Sequence, residues 1–282
     1  MVLNFRCRRV LSLLLAVCLS SGTLPALAEA SVADAEDLAC KAGLCQQVDA
    51  MHQQMLDSIA ELASTTTPGI DPELTERLKA VADHAYAAAR LRGNLMRELA
   101  SRLDSRDVPA LRRWFDSPAG RMIAKAEQVA ADVDLNAPLA AGSEVLEHSS
   151  PARRQLITDL IRESRTAEAM VDVIINTTIA VRSGIVMASP QGPHASTRDL
   201  RASLESNRAA MVRSFTNVSL PIMASSYAAV SDDDLGSYLA FMRSAEGARF
   251  NAVSLQAFEN TLMIAASEFG LAIPTSRKGI KT

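Results

Sequence analysis

The chain has 282 residues, with 29 Lys and Arg against 32 Asp and Glu, a formal net charge of −3, and 48% hydrophobic but only 4% aromatic residues. A mildly acidic chain without a basic cluster excludes nucleic acid as the main partner, because phosphate contacts need grouped Lys and Arg, and it disfavours docking on anionic lipid. No run reads as a strand bounded by turn signals, so the chain is read as all-α.

Residues 1–28 read as a signal peptide. Arg6, Arg8 and Arg9 form a basic start, 10–19 an apolar core too short to span a bilayer, and Ala26-Leu27-Ala28 a small-x-small cleavage site. Cleavage after Ala28 implies an exported, periplasmic protein that begins at Glu29. The alternative is lipidation at Cys18 in Leu15-Ala16-Val17-Cys18, where Val17 stands in place of the Gly, Ala or Ser of such boxes. Three arginines leave with the signal and no acidic residue does, so the mature chain is more acidic still. Its two cysteines, Cys40 and Cys45, suggest one local disulfide in an oxidising compartment. They are too far apart to bridge within a regular helix, and Gly43 permits the turn that a bridge needs.

From Leu44, the positions Val48, Met51, Met55, Ile59 and Leu62 keep helical spacing up to the breakers of 64–69. Asp71-Pro72-Glu73 opens a second helix with a cap, a tolerated first-turn proline and an acidic first turn. Its stripe, Leu74, Leu78, Val81, Ala85, Ala88, Leu95 and Leu99, runs on towards Leu103 as one long helix. Arg92 interrupts the stripe and is expected to snorkel or to meet a carboxylate of the partner unit.

The stretch from Asp107 to Arg121 then returns as Asp234 to Ala248. Asp107 and Asp234, Trp114 and Phe241, Ser117 and Ser244, and Gly120 and Gly247 are each 127 positions apart. Both copies read as the end of one helix, a tight corner, and a new helix capped by Ser117 or Ser244. A glycine in the first turn costs about 1 kcal/mol against alanine, so its return implies a close approach of the preceding helix. The expected organisation is two tandem helical units of about four helices each, at 29–137 and 152–272. A linker at 138–151 joins them and a disordered tail at 273–282 follows.

After the first corner, Met122, Ala126, Val129 and Val133 mark the apolar face. The second unit opens with a long helix faced by Leu156, Leu160, Ala167, Met170, Ile174, Val181 and Ile185. Residues 169–188 are apolar almost all round, yet Asp172, Asn176 and Arg182 interrupt them, so they read as a buried bundle helix and not as a membrane span. Ser196 and Asp199 resemble a capping box. Pro221 falls inside the next helix. After Ser244 the face is Asn251, Leu255, Phe258, Leu262, Ala265 and Phe269, with Gly270 and Pro274 as stops.

The chemistry-bearing residues do not gather. His52, His84, His148 and His194 stand singly, and no paired-histidine metal motif, nucleophile elbow, P-loop or dinucleotide fingerprint occurs. Asp232-Asp233-Asp234 lacks calcium-loop spacing and reads as the acidic start of a helix. Ser117 and Ser244 read as caps, since no base lies near either. Catalytic, cofactor-binding and metal residues are therefore each assigned as none, no cofactor is implied, and the protein is read as no enzyme.

The pattern from Leu235 to Gly247, with Trp114-Phe115-Asp116-Ser117-Pro118-Ala119-Gly120 in the first copy, resembles the signature of a bacterial family of exported helical proteins. That family is catalogued only as a domain of unknown function. Its corner runs from an aromatic residue into Ser-Pro-x-Gly; the second copy here has Ala245 for the proline. The resemblance implies an exported helical architecture and no reaction. The expected function is a non-catalytic interaction module with protein or envelope partners and no transmembrane segment in the mature chain. The alternative is a carrier of a lipid or other apolar ligand in a Met-lined cavity between the units.

Overall fold

The computed structural model describes residues 29–65, 72–131, 136–188 and 196–277. The signal peptide expected at 1–28, the lipidation box considered at Cys18 and the last part of the expected tail, 278–282, lie outside the described residues. Among those described, the protein is all-α with thirteen helices and one isolated bridge, Glu29 to Asp104. The first six are α1 (Val32–Lys41), α2 (Leu44–Thr65), α3 (Pro72–Ala85), α4 (Ala88–Ala100), α5 (Val108–Phe115) and α6 (Pro118–Ala131). Then come α7 (Asn136–His148), α8 (Pro151–Ser164), α9 (Thr166–Ala188), α10 (Thr197–Ser206), α11 (Arg208–Ser226), α12 (Asp232–Arg243) and α13 (Ala245–Arg277).

Serine hydroxyls set where many of these helices begin. Ser31, Ser150, Ser196 and Ser231 each accept from the backbone N–H three residues on, and Ser31 with Asp34 forms a full capping box. Ser117 and Ser244 do the same for the two glycines, at 3.0 Å from Gly120 N and 3.1 Å from Gly247 N. The cap explains why each new helix starts there. The glycine explains how close it starts. A Cβ on Gly120 would lie 2.1 Å from the Trp114 carbonyl oxygen, and one on Gly247 would lie 2.0 Å from that of Phe241. Both approaches are to the end of the preceding helix.

Packing follows one scheme twice. α1 packs on α4 and α5 as α8 packs on α11 and α12; α2 packs on α3 and α4 as α9 packs on α10 and α11. α1–α6 and α8–α13 make these contacts in the same order, with α7 between them and packed on α11. The sixth of each set also crosses to the other: α6 lies on α11 and α12, and α13 lies on α3, α4 and α5. The cores are exchanged accordingly. Phe250 of α13 is buried with Leu103 and Val108, whereas Ile123 of α6 is buried with Val230 and Leu235. Leu103 and Val230, Val108 and Leu235, and Ile123 and Phe250 are again 127 positions apart.

Several sequence expectations are corrected. The linker expected at 138–151 is largely α7, which packs against α11 so closely that a Cβ on Gly142 would meet the Pro221 carbonyl oxygen at 1.7 Å. Pro138 falls in its first turn, where the missing N–H costs nothing. The long helix expected from Leu74 breaks at Tyr86 and Ala87, and Tyr86 turns inward with its ring edge-on to Phe269 at 6.2 Å. A second break, at Arg165 with φ 54°, resets the helical phase, so Val171, Ile175 and Ile179 are buried and Met170 is exposed. Residues 169–188 consequently bury one stripe, not their whole surface. By length and composition, 151–187 is apolar enough to cross a membrane.

Neither Gly270 nor Pro274 stops α13, which runs to Arg277 through part of the expected tail. Gly270 instead meets α9, where a Cβ would lie 2.2 Å from the Val181 carbonyl oxygen, and Gly184 meets α13 in return. Arg92 pairs with Asp49 of α2, in its own half and not the partner. On α6 the buried residue is Ile123, and Met122 is exposed.

Two alanine substitutions separate the glycine roles. Gly120→Ala must push apart backbone atoms and is expected to destabilise by about 1–3 kcal/mol. Gly236→Ala, on α12 with nothing within 4 Å of the new methyl, is expected to stabilise by about 0.5–1 kcal/mol. Urea unfolding of both variants checks this; shifts of the same sign would contradict the close-approach account.

Candidate functional site

The two corners face each other through aromatic rings. Trp114 stacks on Phe241 with centroids 4.6 Å apart and planes 7° from parallel, and Tyr238 continues the stack 6.0 Å from Trp114. Phe115 stands edge-on to both Phe241 and Phe250. Flat rings held apart by two capped elbows cannot fill all the space behind them. A cavity of about 130 Å³ remains on the seam.

Its walls come from both halves in matched positions. Trp114 and Phe241, Phe115 and Met242, and Gly120 and Gly247 line it from the corners. Ile123 and Phe250, Ala124 and Asn251, and Glu127 and Ser254 line it from α6 and α13. Every one of these pairs is 127 apart in sequence. Its walls are largely aromatic, and Met242 is the one methionine among its described lining residues.

One rim of the cavity is covalently fixed. Cys40 and Cys45 form a disulfide with Cα atoms 4.8 Å apart, across a turn in which Gly43 has φ 77°. Between them, Lys41, Ala42 and Leu44 line the cavity. The Lys41 ammonium sits 3.2 Å from Asp37 and 2.8 Å from Asp116, so this cation is already neutralised by its neighbours.

Glu127 and Ser254, a matched pair among the polar lining residues, differ in their partners. Glu127 Oε1 accepts from the Tyr227 hydroxyl at 2.6 Å and the Tyr238 hydroxyl at 3.1 Å. Removal from water dominates its titration and raises the carboxyl above its ordinary 4.5, with the two tyrosine hydrogen bonds opposing. Burial likewise raises both tyrosines, and the Glu127 charge adds to it. Ser254 is 7% exposed, and its Oγ has no hydrogen-bond partner. The counterparts of Tyr227 and Tyr238 on its side are Ala100 and Leu111, which offer no hydroxyl.

The residues singled out in the sequence lie elsewhere or act structurally. Ser117 and Ser244 cap. Arg121 donates to the Asp116 carbonyl. His52 pairs with Asp83 at 2.8 Å, His84 meets Arg90 at 2.8 Å, and His148 meets the Glu144 carbonyl at 2.8 Å. His194 lies outside the described residues. Asp232 pairs with Arg153, and Asp234 bonds the cap Ser231. Among the described residues no group of three or more His, Cys, Asp or Glu is placed to hold a metal ion. Glu127, Tyr227, Tyr238 and Ser254 were not singled out. The signal was present: carrying the interval of 127 two helical turns past Gly120 sets Glu127 opposite Ser254.

No family model matches the chain, and no curated protein and no solved structure matches it either.

The raised Glu127 carboxyl has a defined sign in stability. The folded state holds a proton that the unfolded chain releases, so this group lowers stability as pH rises above 4.5. Glu127→Gln keeps an oxygen acceptor and cannot ionise. The variant is expected to gain stability relative to the parent as pH rises from 4.5, by at most about 1.4 kcal/mol per pH unit. Denaturant unfolding across that range tests it, and a difference that stays flat with pH would contradict it.

Proposed function

We propose that this is an exported, non-catalytic helical protein, built by doubling a six-helix unit, that binds a small apolar group in the cavity on its seam. The observation that carries the proposal is the cavity itself: aromatic walls, contributions from both halves, and a disulfide-fixed rim. A void lined by apolar side chains and of roughly 150 Å³ takes up benzene, so one of this size suits a single ring or the end of a chain. A whole lipid exceeds it. Support for doubling comes from the repeated order of packing and the constant interval between matched residues. Support for export comes from the cleavage motif before Glu29, the Cys40–Cys45 bridge, and the resemblance of the corner to an exported family.

Interaction with a protein partner is the second reading, favoured by an open groove of about 590 Å³ on the other side of the same stack. Arg113, Pro118 and Ser237 line it beside the edges of Trp114 and Phe241.

Native mass spectrometry of protein taken gently from its own envelope tests the first proposal. A bound apolar species is expected on the parent and not on Ala124→Leu, which fills the cavity. No adduct, or one that survives the filling, counts against seam binding. A photocrosslinker at Ser237 then tests the groove; discrete partner adducts there support the second reading.

A further inference from the structure

We infer that the seam cavity selects a neutral ligand with one hydroxyl, an apolar body of ring or short-chain size whose O–H meets Ser254 and whose remainder lies against the Trp114 and Phe241 rings. This rests on the proposed binding at the seam and adds which chemical class the site takes.

Asymmetry between matched positions is the argument. On one wall Glu127 is served by two tyrosine hydroxyls. On the opposite wall Ser254 occupies the same position, but Ala100 and Leu111 stand where tyrosines stand on the other side. Its hydroxyl is buried and unpartnered, on a residue that lines the cavity. This is unusual within the protein, since helical hydroxyls routinely bond the carbonyl four residues back. Thr261 on the same helix does so at 2.7 Å, as do Thr158, Ser226 and Ser237. A buried hydroxyl left without a partner is costly, so a ligand that supplies one gains more here than at an exposed site.

Charge is excluded by the rest of the lining. Lys41 is already paired with Asp37 and Asp116. The Glu127 carboxyl is already engaged by the Tyr227 and Tyr238 hydroxyls. An anionic ligand would find no free cation, and stripping its water without a partner is strongly unfavourable.

Trp114 is the single tryptophan of the chain and lines the cavity, so its fluorescence reports occupancy. Mature protein is titrated with cyclohexanol, cyclohexane and cyclohexanecarboxylate at neutral pH, none of which absorbs in the tryptophan band. Cyclohexanol is expected to bind about tenfold more tightly than cyclohexane partitions into the same site, as one hydrogen bond at a buried hydroxyl allows. The carboxylate is expected to be at least about a hundredfold weaker than the alcohol. Ser254→Ala, which removes a hydroxyl and places a better helix former, is expected to fold. It should bring cyclohexanol down to the level of cyclohexane and leave cyclohexane unchanged. If alcohol and alkane bind alike, or if the alanine variant keeps the preference, the hydroxyl assignment is wrong while apolar binding at the seam stands. If the carboxylate matches the alcohol, neutrality is wrong. If none of the three perturbs Trp114, binding at the seam fails and this inference with it.

Discussion

The contact on which the rest depends is the stack of Trp114 on Phe241. It brings the two corners together ring to ring, and each corner is held by a serine cap on a glycine pressed against a carbonyl oxygen. Parallel offset rings of this kind contribute about 0.5–1.5 kcal/mol beyond the area that they bury. Their larger effect is geometric. With the rings face to face, α6 reaches α11 and α12, and α13 reaches α3, α4 and α5 while it also lies along α9. Ile123 and Phe250 are thereby exchanged between cores. A larger residue at either glycine would open its elbow and misdirect the helix that follows.

The cavity is walled by unlike side chains at positions 127 apart: Trp114 with Phe241, Phe115 with Met242, Ile123 with Phe250, and Glu127 with Ser254. Within the last pair, Glu127 meets two tyrosine hydroxyls and the Ser254 hydroxyl meets no partner.

The fold class was legible in the sequence because helical spacing survives in long amphipathic stretches, and Val48, Ile59, Leu95, Leu99, Phe258 and Leu262 are each near their expected faces. The elbows were legible because cap and glycine recur together. Breaks without a breaker were not. Tyr86-Ala87 and Arg165 carry neither proline nor glycine; burial of Tyr86 marks the first break and a left-handed backbone at Arg165 the second, so the phase beyond Arg165 differs from the expected one. Residues that look like stops misled in the other direction. Gly142 and Gly270 are sites where a neighbouring backbone approaches too closely for any side chain, and Pro138 is a first-turn residue. The candidate site was hidden because its polar members lie on different helices 127 residues apart, and because Glu127, Tyr227 and Tyr238 are ordinary residues until folding places them together.

The exchange of the sixth helices bears on how the polypeptide matures. The core that holds Leu38, Leu103 and Val108 is completed by Phe250, and the one around Leu91, Leu95 and Leu99 by Phe258 and Leu262. The amino-terminal half is therefore completed only by residues far along the chain, and its contacts of greatest sequence separation close last. Losing α13 would unmake the front of the molecule as surely as the back.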